Sequence, residues 1–262
     1  MSRTPKRPTA PVSSWRAQVM RATFFPAPGT PLTADSWWND AVGGEPESRL
    51  VRPAARQRQE EGPFEDGGRL VLSINPLGIV QWTLTAEPPK DVPENIPTVG
   101  AVEEIAKPFI GLLNRWFRSP TWMSASRLAF GTTALLPVEG QREGYETLAP
   151  YLPAVTIDPV NSSDFQYRIN RPRPSASRVP GLSFNRLSTW SVYKMSMMSI
   201  VASPETVAVS PSVMKEQFCC AVELDINTVP SFTGPFSSAD ASAVMTELER
   251  LAIEILAKGD VP

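Results

Sequence analysis

Six cationic side chains fall within the segment Asp164–Lys194: Arg168, Arg171, Arg173, Arg178, Arg186 and Lys194, against the single acid Asp164. Phe165, Tyr167, Phe184, Trp190 and Tyr193 are interleaved with them. A guanidinium presents a planar fork to phosphate or carboxylate, and an aromatic ring offers a stacking face to a base. The middle of the segment, Arg171–Pro180, is a Pro/Ser/Arg run that reads as a projecting loop. Arg168, Arg171, Arg173, Arg178, Arg186, Trp190 and Lys194 are therefore the candidate partner- or anion-binding residues. The partner they imply is a protein with an acidic surface, with nucleic acid as the alternative. The competing structural reading is a solvated hairpin whose arginines pair with acids elsewhere. A docking loop also implies that Ala at Arg171, Arg173 and Arg178 leaves stability almost unchanged.

Other residues with chemical potential are weaker. Glu223, Asp225 and Asn227 alternate along one strand face, and their oxygens could hold Mg²⁺. The plainer reading is the polar face of a half-buried strand, with Val222, Leu224 and Ile226 inward. Two Ser-x-x-Lys matches, Ser191–Lys194 and Ser212–Lys215, lack the accompanying Lys-Thr-Gly, and the first lies in a strand, where i and i+3 point apart. Cys219 and Cys220 are neighbours in a strand and read as small core side chains. Trp37-Trp38 and the Met195, Met197, Met198 cluster read as core packing rather than pocket lining.

Composition narrows the classes. The chain has no histidine, which excludes Ser-His-Asp and Cys-His catalysis and every His-bound metal site. It contains no Gly-x-Gly-x-x-Gly and no Walker loop. No cofactor is implied. A formal net charge of −2 gives no bulk reason for nucleic acid or an anionic membrane as partner. No apolar run is long enough to span a membrane. With only two adjacent cysteines and no signal-peptide pattern, a reducing, cytoplasmic compartment is expected.

The elements that must position these residues follow from periodicity. Residues 1–14, rich in Pro, Ser and Thr, read as a disordered basic tail. Trp15–Phe25 reads as a strand, and Thr33 can cap a short helix through Trp37, Trp38 and Ala41 that Gly43 stops. Glu47–Glu61 is a weak strand. Arg69–Asn75 and Ile79–Ala86 form the clearest hairpin. After the Pro-rich link Glu87–Pro97, Thr98 can cap a helix from Val99 to Phe117, kinked at Pro108. In the second half, Arg127–Leu136 reads as a strand and Gly144–Leu152 as a short helix. Asp164–Arg171, Leu187–Met198 and Gln217–Val229 read as strands. A final helix has Val244, Met245, Leu248, Leu251, Ala252, Ile255 and Leu256 on one stripe, with Ser237 or Ser238 as its cap.

Each half thus reads β-α-β-β-β-α, over 15–118 and 119–262. Strands followed by a helix imply an α+β fold. The expected architecture is a duplicated curved antiparallel sheet, each half gripping a long helix, as in helix-grip or TATA-binding-protein-like folds.

The strand Arg127-Leu-Ala-Phe, the segment Asn185-Arg-Leu and the strand Glu223-Leu-Asp-Ile-Asn227 before the last helix carry a resemblance. They resemble a sporadically distributed family of uncharacterised bacterial proteins. The resemblance covers the second half, implies the α+β fold and brings no activity. It also implies an expectation that the gene sits in a bacterial defence or toxin–antitoxin locus. The function expected is a non-enzymatic binding or interaction protein. Nucleic-acid association through the Arg-rich loop and a Mg²⁺-dependent carboxylate site are the alternatives.

Overall fold

The computed structural model describes residues 8 and 10–261 apart from 33, 90–92, 94, 204 and 205; for 66 and 197–215 only the backbone is described. Thr33, expected as a cap, and the basic residues Arg3, Lys6 and Arg7 lie outside the described residues. The end of the expected tail is tied in. Val12–Ser14 form a turn of 3₁₀ helix, and Tyr151 Oη donates to the Ala10 carbonyl at 3.2 Å.

In chain order the elements are β1 (Arg16–Pro26), α1 (Trp37–Val42), β2 (Ser48–Arg52), β3 (Gln57–Phe64), β4 (Gly68–Ile74), β5 (Val80–Ala86), β6 (Gly100–Ala101) and α2 (Val102–Phe117). Then follow β7 (Ala125–Val138), α3 (Gln141–Leu148), β8 (Gln166–Asn170), β9 (Arg173–Pro174), β10 (Ser183–Ser203), β11 (Thr206–Thr228) and α4 (Ser238–Lys258). All eleven strands join one antiparallel sheet in the order β2-β3-β4-β5-β1-β7-β11-β10-β8, with β6 beside β1 and β9 beside β10. The sheet is continuous across the expected boundary between halves, because β1 pairs with β7 at its centre.

Alternation decides the two faces. In β4, Leu70, Leu72 and Ile74 are buried, as are Val80, Trp82 and Leu84 in β5. In β1, Met20, Ala22 and Phe24 are buried while Arg21 is exposed. The four helices of the described residues cover this apolar face. The Trp38 ring of α1 stacks on Trp82 at 5.9 Å, and Trp116 of α2 meets Phe24 edge-on at 4.9 Å. Cys220 of β11 donates its Sγ–H to the Gly144 carbonyl of α3. On α4, Ser242 Oγ donates to Asn114 of α2 at 2.7 Å. Burial of this face is the main stabilising term, at about 25 cal/mol per Å² of apolar surface.

Two boundaries moved. The helix expected from Val99 begins at Val102, because Gly100–Ala101 is drawn into pairing with β1 and Val99 N–H is spent on the Ala17 carbonyl. Backbone pairing there competes with a helical first turn and wins. The weak strand 47–61 is two strands, β2 and β3, separated at Pro53–Ala55. The last helix starts as expected. Ser237 accepts from the Asp240 amide at 3.1 Å and the Asp240 carboxylate returns to the Ser237 amide, a reciprocal capping box.

The β10–β11 hairpin is far longer than the sequence suggests. Its flank β8 ends its pairing at Ser191↔Gln166, and its flank β7 at Phe218↔Val138. From Met195↔Gln217 to Ser203↔Thr206 the backbones of the two strands pair only with each other among the described residues, a two-stranded ribbon.

Candidate functional site

The segment Asp164–Lys194 does not form one cationic surface. Arg171 and Arg173 turn toward the last helix and its C-terminal end. Arg171 Nε and Nη2 donate to the two Asp260 oxygens at 2.8 and 2.9 Å, and Arg173 Nη1 to Glu254 at 2.9 Å. Ser175 Oγ and the amides of Ala176 and Ser177 donate to the buried carboxylate of Glu247 at 2.7, 2.7 and 3.1 Å. The loop expected to project is thus sewn to α4, as the structural reading anticipated.

Alternation separates the rest. Arg186 and Trp190 fall on the covered face of β10 and are buried. Burial holds the Arg186 guanidinium below its ordinary value, helped by the nearby charge of Arg173. Trp190 packs against Tyr151 at 5.5 Å and donates Nε1–H to Ser188 at 2.9 Å. Both belong to the core, which corrects their assignment to a partner surface. Lys194 pairs with Glu216 at 2.7 Å at the base of the ribbon. Arg178 is exposed on the loop. Trp37 and Trp38 are core residues as expected, Met195 is half-buried, and the side chains of Met197 and Met198 lie outside the described residues.

Arg168 alone of the set reaches the opposite, open face of the sheet. There it shares a hollow of about 350 Å³ with Arg21, Gln166, Leu187, Thr189, Glu223 and Asp225. The residues come from β1, β8, β10 and β11. Register puts Arg168 opposite Thr189 and Thr189 opposite Glu223; Arg21 lies opposite Gly131 and Gly131 opposite Asp225. Gly131 has a purpose here. A Cβ on it would lie 2.8 Å from Arg21 Nε and 3.0 Å from the Leu224 carbonyl, so its bare backbone is what lets the Arg21 side chain cross β7 toward β11.

Hydrogen bonds orient one acid. Asn170 Nδ2 donates to Asn185 at 3.0 Å, Asn185 Nδ2 to Asn227 at 3.1 Å, and Asn227 Nδ2 to Asp225 Oδ1 at 3.1 Å. This amide chain crosses β8, β10 and β11 and fixes Asp225 through its Oδ1. The side chains of Arg21, Arg168 and Glu223 make no ion pair or hydrogen bond among the described residues. Glu223 and Asp225 share a face as expected, but no cluster of three or more metal-ligating Asp, Glu or Cys forms among the described residues, and two guanidinium groups line the same hollow. That donor set suits a cation of +2 poorly, because two positive charges already occupy its surroundings.

Sequence reasoning found Arg168, Glu223 and Asp225 but missed Arg21, Gln166 and Thr189. The available signal was the polar half of each alternating strand. The missing fact was that β1 and β11 flank β7.

The segment 95–98 crosses one end of the open face. Ile96 packs there on Leu135, Cys219 and Ala221, and its amide donates to Gln217 at 3.1 Å. Burial pushes the Cys219 thiol up to about 11 and that of Cys220 up to about 12. Neither thiol is a nucleophile at neutral pH.

No helix among the described residues is long and apolar enough to cross a membrane. No family model, curated protein or solved structure matches this chain.

Proposed function

We propose that this chain is a non-enzymatic binding protein whose ligand surface is the open face of the sheet. The observation that supports it most is the hollow at Arg21, Arg168, Glu223 and Asp225, lined by four charged side chains that make no ion pair with one another among the described residues. Around the hollow the face carries Thr23, Thr83, Thr85, Thr133, Ser73, Gln81, Asn185 and Asn227, and farther out the charged Arg69, paired with Glu61, and Arg127, stacked over Phe25. The hydroxyl and amide groups beside the hollow offer hydrogen bonds to a ligand seated there.

The architecture in this reading is two similar halves. It is supported by the strand order, which runs β1-β5-β4-β3 outward on one side and β7-β11-β10-β8 on the other. It is also supported by α2 and α4, each of which ends a half and packs on the other.

The test is Thr189→Trp, which fills the hollow. Wild type and variant are screened by thermal shift against a panel of small molecules and short peptides. Ligands of the wild type should be lost in the variant while its own melting temperature stays close to wild type. Ligands retained by Thr189→Trp sink the open-face reading.

A further inference from the structure

We infer that the open-face hollow is built for a small amino dicarboxylate, a ligand with one ammonium group between two carboxylates. The inference rests on the open-face reading and adds the ligand's chemistry.

The order of charge across the sheet carries it. Glu223 and Asp225 are two residues apart on β11 and point to the same side. Arg21 lies two strands away on β1, and Arg168 two strands away on β8, in the opposite direction. The array is therefore cation, two anions, cation. Strands lie ~4.8 Å apart, so the two arginine Cα atoms are roughly 20 Å apart. Arg21 reaches inward across Gly131, as the 2.8 Å approach of its Nε to a Cβ there shows. With Arg168 reaching inward in the same way, roughly two strand spacings, ~10 Å, remain between the guanidinium groups. A short dicarboxylate flanked by hydrogen bonds spans that gap, and its ammonium group falls over the carboxylates of β11. A forked guanidinium suits a carboxylate bidentately, whereas an ammonium suits a pair of carboxylates as a point charge.

Three alternatives fit less well. A dianion without an amine leaves Glu223 and Asp225 facing its negative charge. A monocarboxylate uses one arginine and leaves the other unpaired. A metal cation is repelled by both arginines.

The structure also pre-organises the ligand's seat. The Asn170–Asn185–Asn227 chain holds Asp225 in place, and Gly131 keeps Arg21 low on the sheet, so less ordering is left to binding.

The experiment is isothermal titration of the full chain with L-glutamate and L-aspartate. Glutarate, which lacks the amine, and inorganic phosphate serve as comparison probes. One of the two amino acids should bind. Arg21→Met, Arg168→Met and Glu223→Gln should each weaken it about tenfold or more, as expected for loss of a charged hydrogen bond. Glutarate should bind weaker than the amino acid to wild type, and Glu223→Gln should shrink that difference. Phosphate should not compete. Glutarate binding as well as glutamate overturns the ammonium assignment. Binding unchanged by all three substitutions overturns the site. No binding of either amino acid at millimolar concentration overturns the ligand class, while the Thr189→Trp screen judges the open face separately.

Discussion

Arg171 and Asp260 form a two-pronged pair, Nε to Oδ1 at 2.8 Å and Nη2 to Oδ2 at 2.9 Å, that clasps the Arg-rich segment to the end of the last helix. Tyr167 Oη donates to the same carboxylate at 2.9 Å, and the Asp260 amide donates to the Tyr151 carbonyl at 2.8 Å. Asp260 is buried while about a third of the Arg171 side chain is exposed, 32%. The clasp therefore joins β8 to the end of α4.

Arg171→Ala leaves a buried carboxylate with two donors fewer and its ion-pair partner gone. Removing one partner of a fully buried pair costs about 3–5 kcal/mol. Solvent screening of the arginine, about a third exposed, lowers the expected loss to about 2 kcal/mol. Urea unfolding should show this, with Arg171→Lys recovering part of it because charge returns without the fork. A variant as stable as wild type would restore the reading of Arg171 as a free docking residue.

Acid should release the clasp. Burial alone raises the Asp260 carboxyl, but the hydrogen bonds from Arg171 and Tyr167 together outweigh it and hold it below its ordinary value. Glu254 is likewise lowered: burial raises it, and its bonds to Lys258 and Arg173 outweigh that. A depressed folded-state value stabilises the protein above the unfolded carboxylate range of about 4, and that stability is lost as pH falls through the folded value. The melting temperature should drop below about pH 4, and the drop should be smaller in Asp260→Asn, which starts from a lower stability.

Gly259 ends α4 at φ +80°, and a Cβ there would meet the Tyr151 carbonyl oxygen at 2.2 Å. Both the left-handed backbone and the backbone clash oppose any side chain. Gly259→Ala should destabilise by about 3 kcal/mol or more, with calorimetry as the readout. A loss under about 1 kcal/mol would show that the chain end readjusts freely.

Both thiols should be silent in the folded protein. With values raised to about 11 and about 12 by burial, Cys219 and Cys220 are almost wholly protonated at pH 8. Iodoacetamide should leave the native mass unchanged and add two carbamidomethyl groups in urea. Rapid native labelling would mean that the segment at Ile96 opens.

The ribbon should be dispensable for folding. Replacing residues 197–215 by Asn-Gly joins Ser196 to Glu216, which already face each other across the hairpin. Stability should change by less than about 1 kcal/mol, since an isolated two-stranded hairpin is marginal by itself. Loss of the folded state would show that the ribbon packs back on the body.

Local features were legible wherever their cause was local. The stripe of α4 and its Ser237 capping box need only residues a turn apart, and the Arg69–Ala86 hairpin needs only two alternating strands and the turn at Asn75. Gly43, at φ +90°, stops α1 for the same reason. Alternation also told that β10 has two faces. It could not tell which face the helices cover, because that choice is made by packing between residues far apart in the chain. Hence Arg186 and Trp190 read as surface and are buried, and Arg171 reads as free and is clasped to a residue 89 positions away. The site was half visible for the same reason. Glu223 and Asp225 announce themselves on one strand, but Arg21 joins them only because β7 pairs with both β1 and β11, and because Gly131 leaves room for its side chain. Residue order determined the elements and their two-sided pattern. Long-range strand pairing and helix burial, whose energy depends on distant partners, decided which side is core and which is left open.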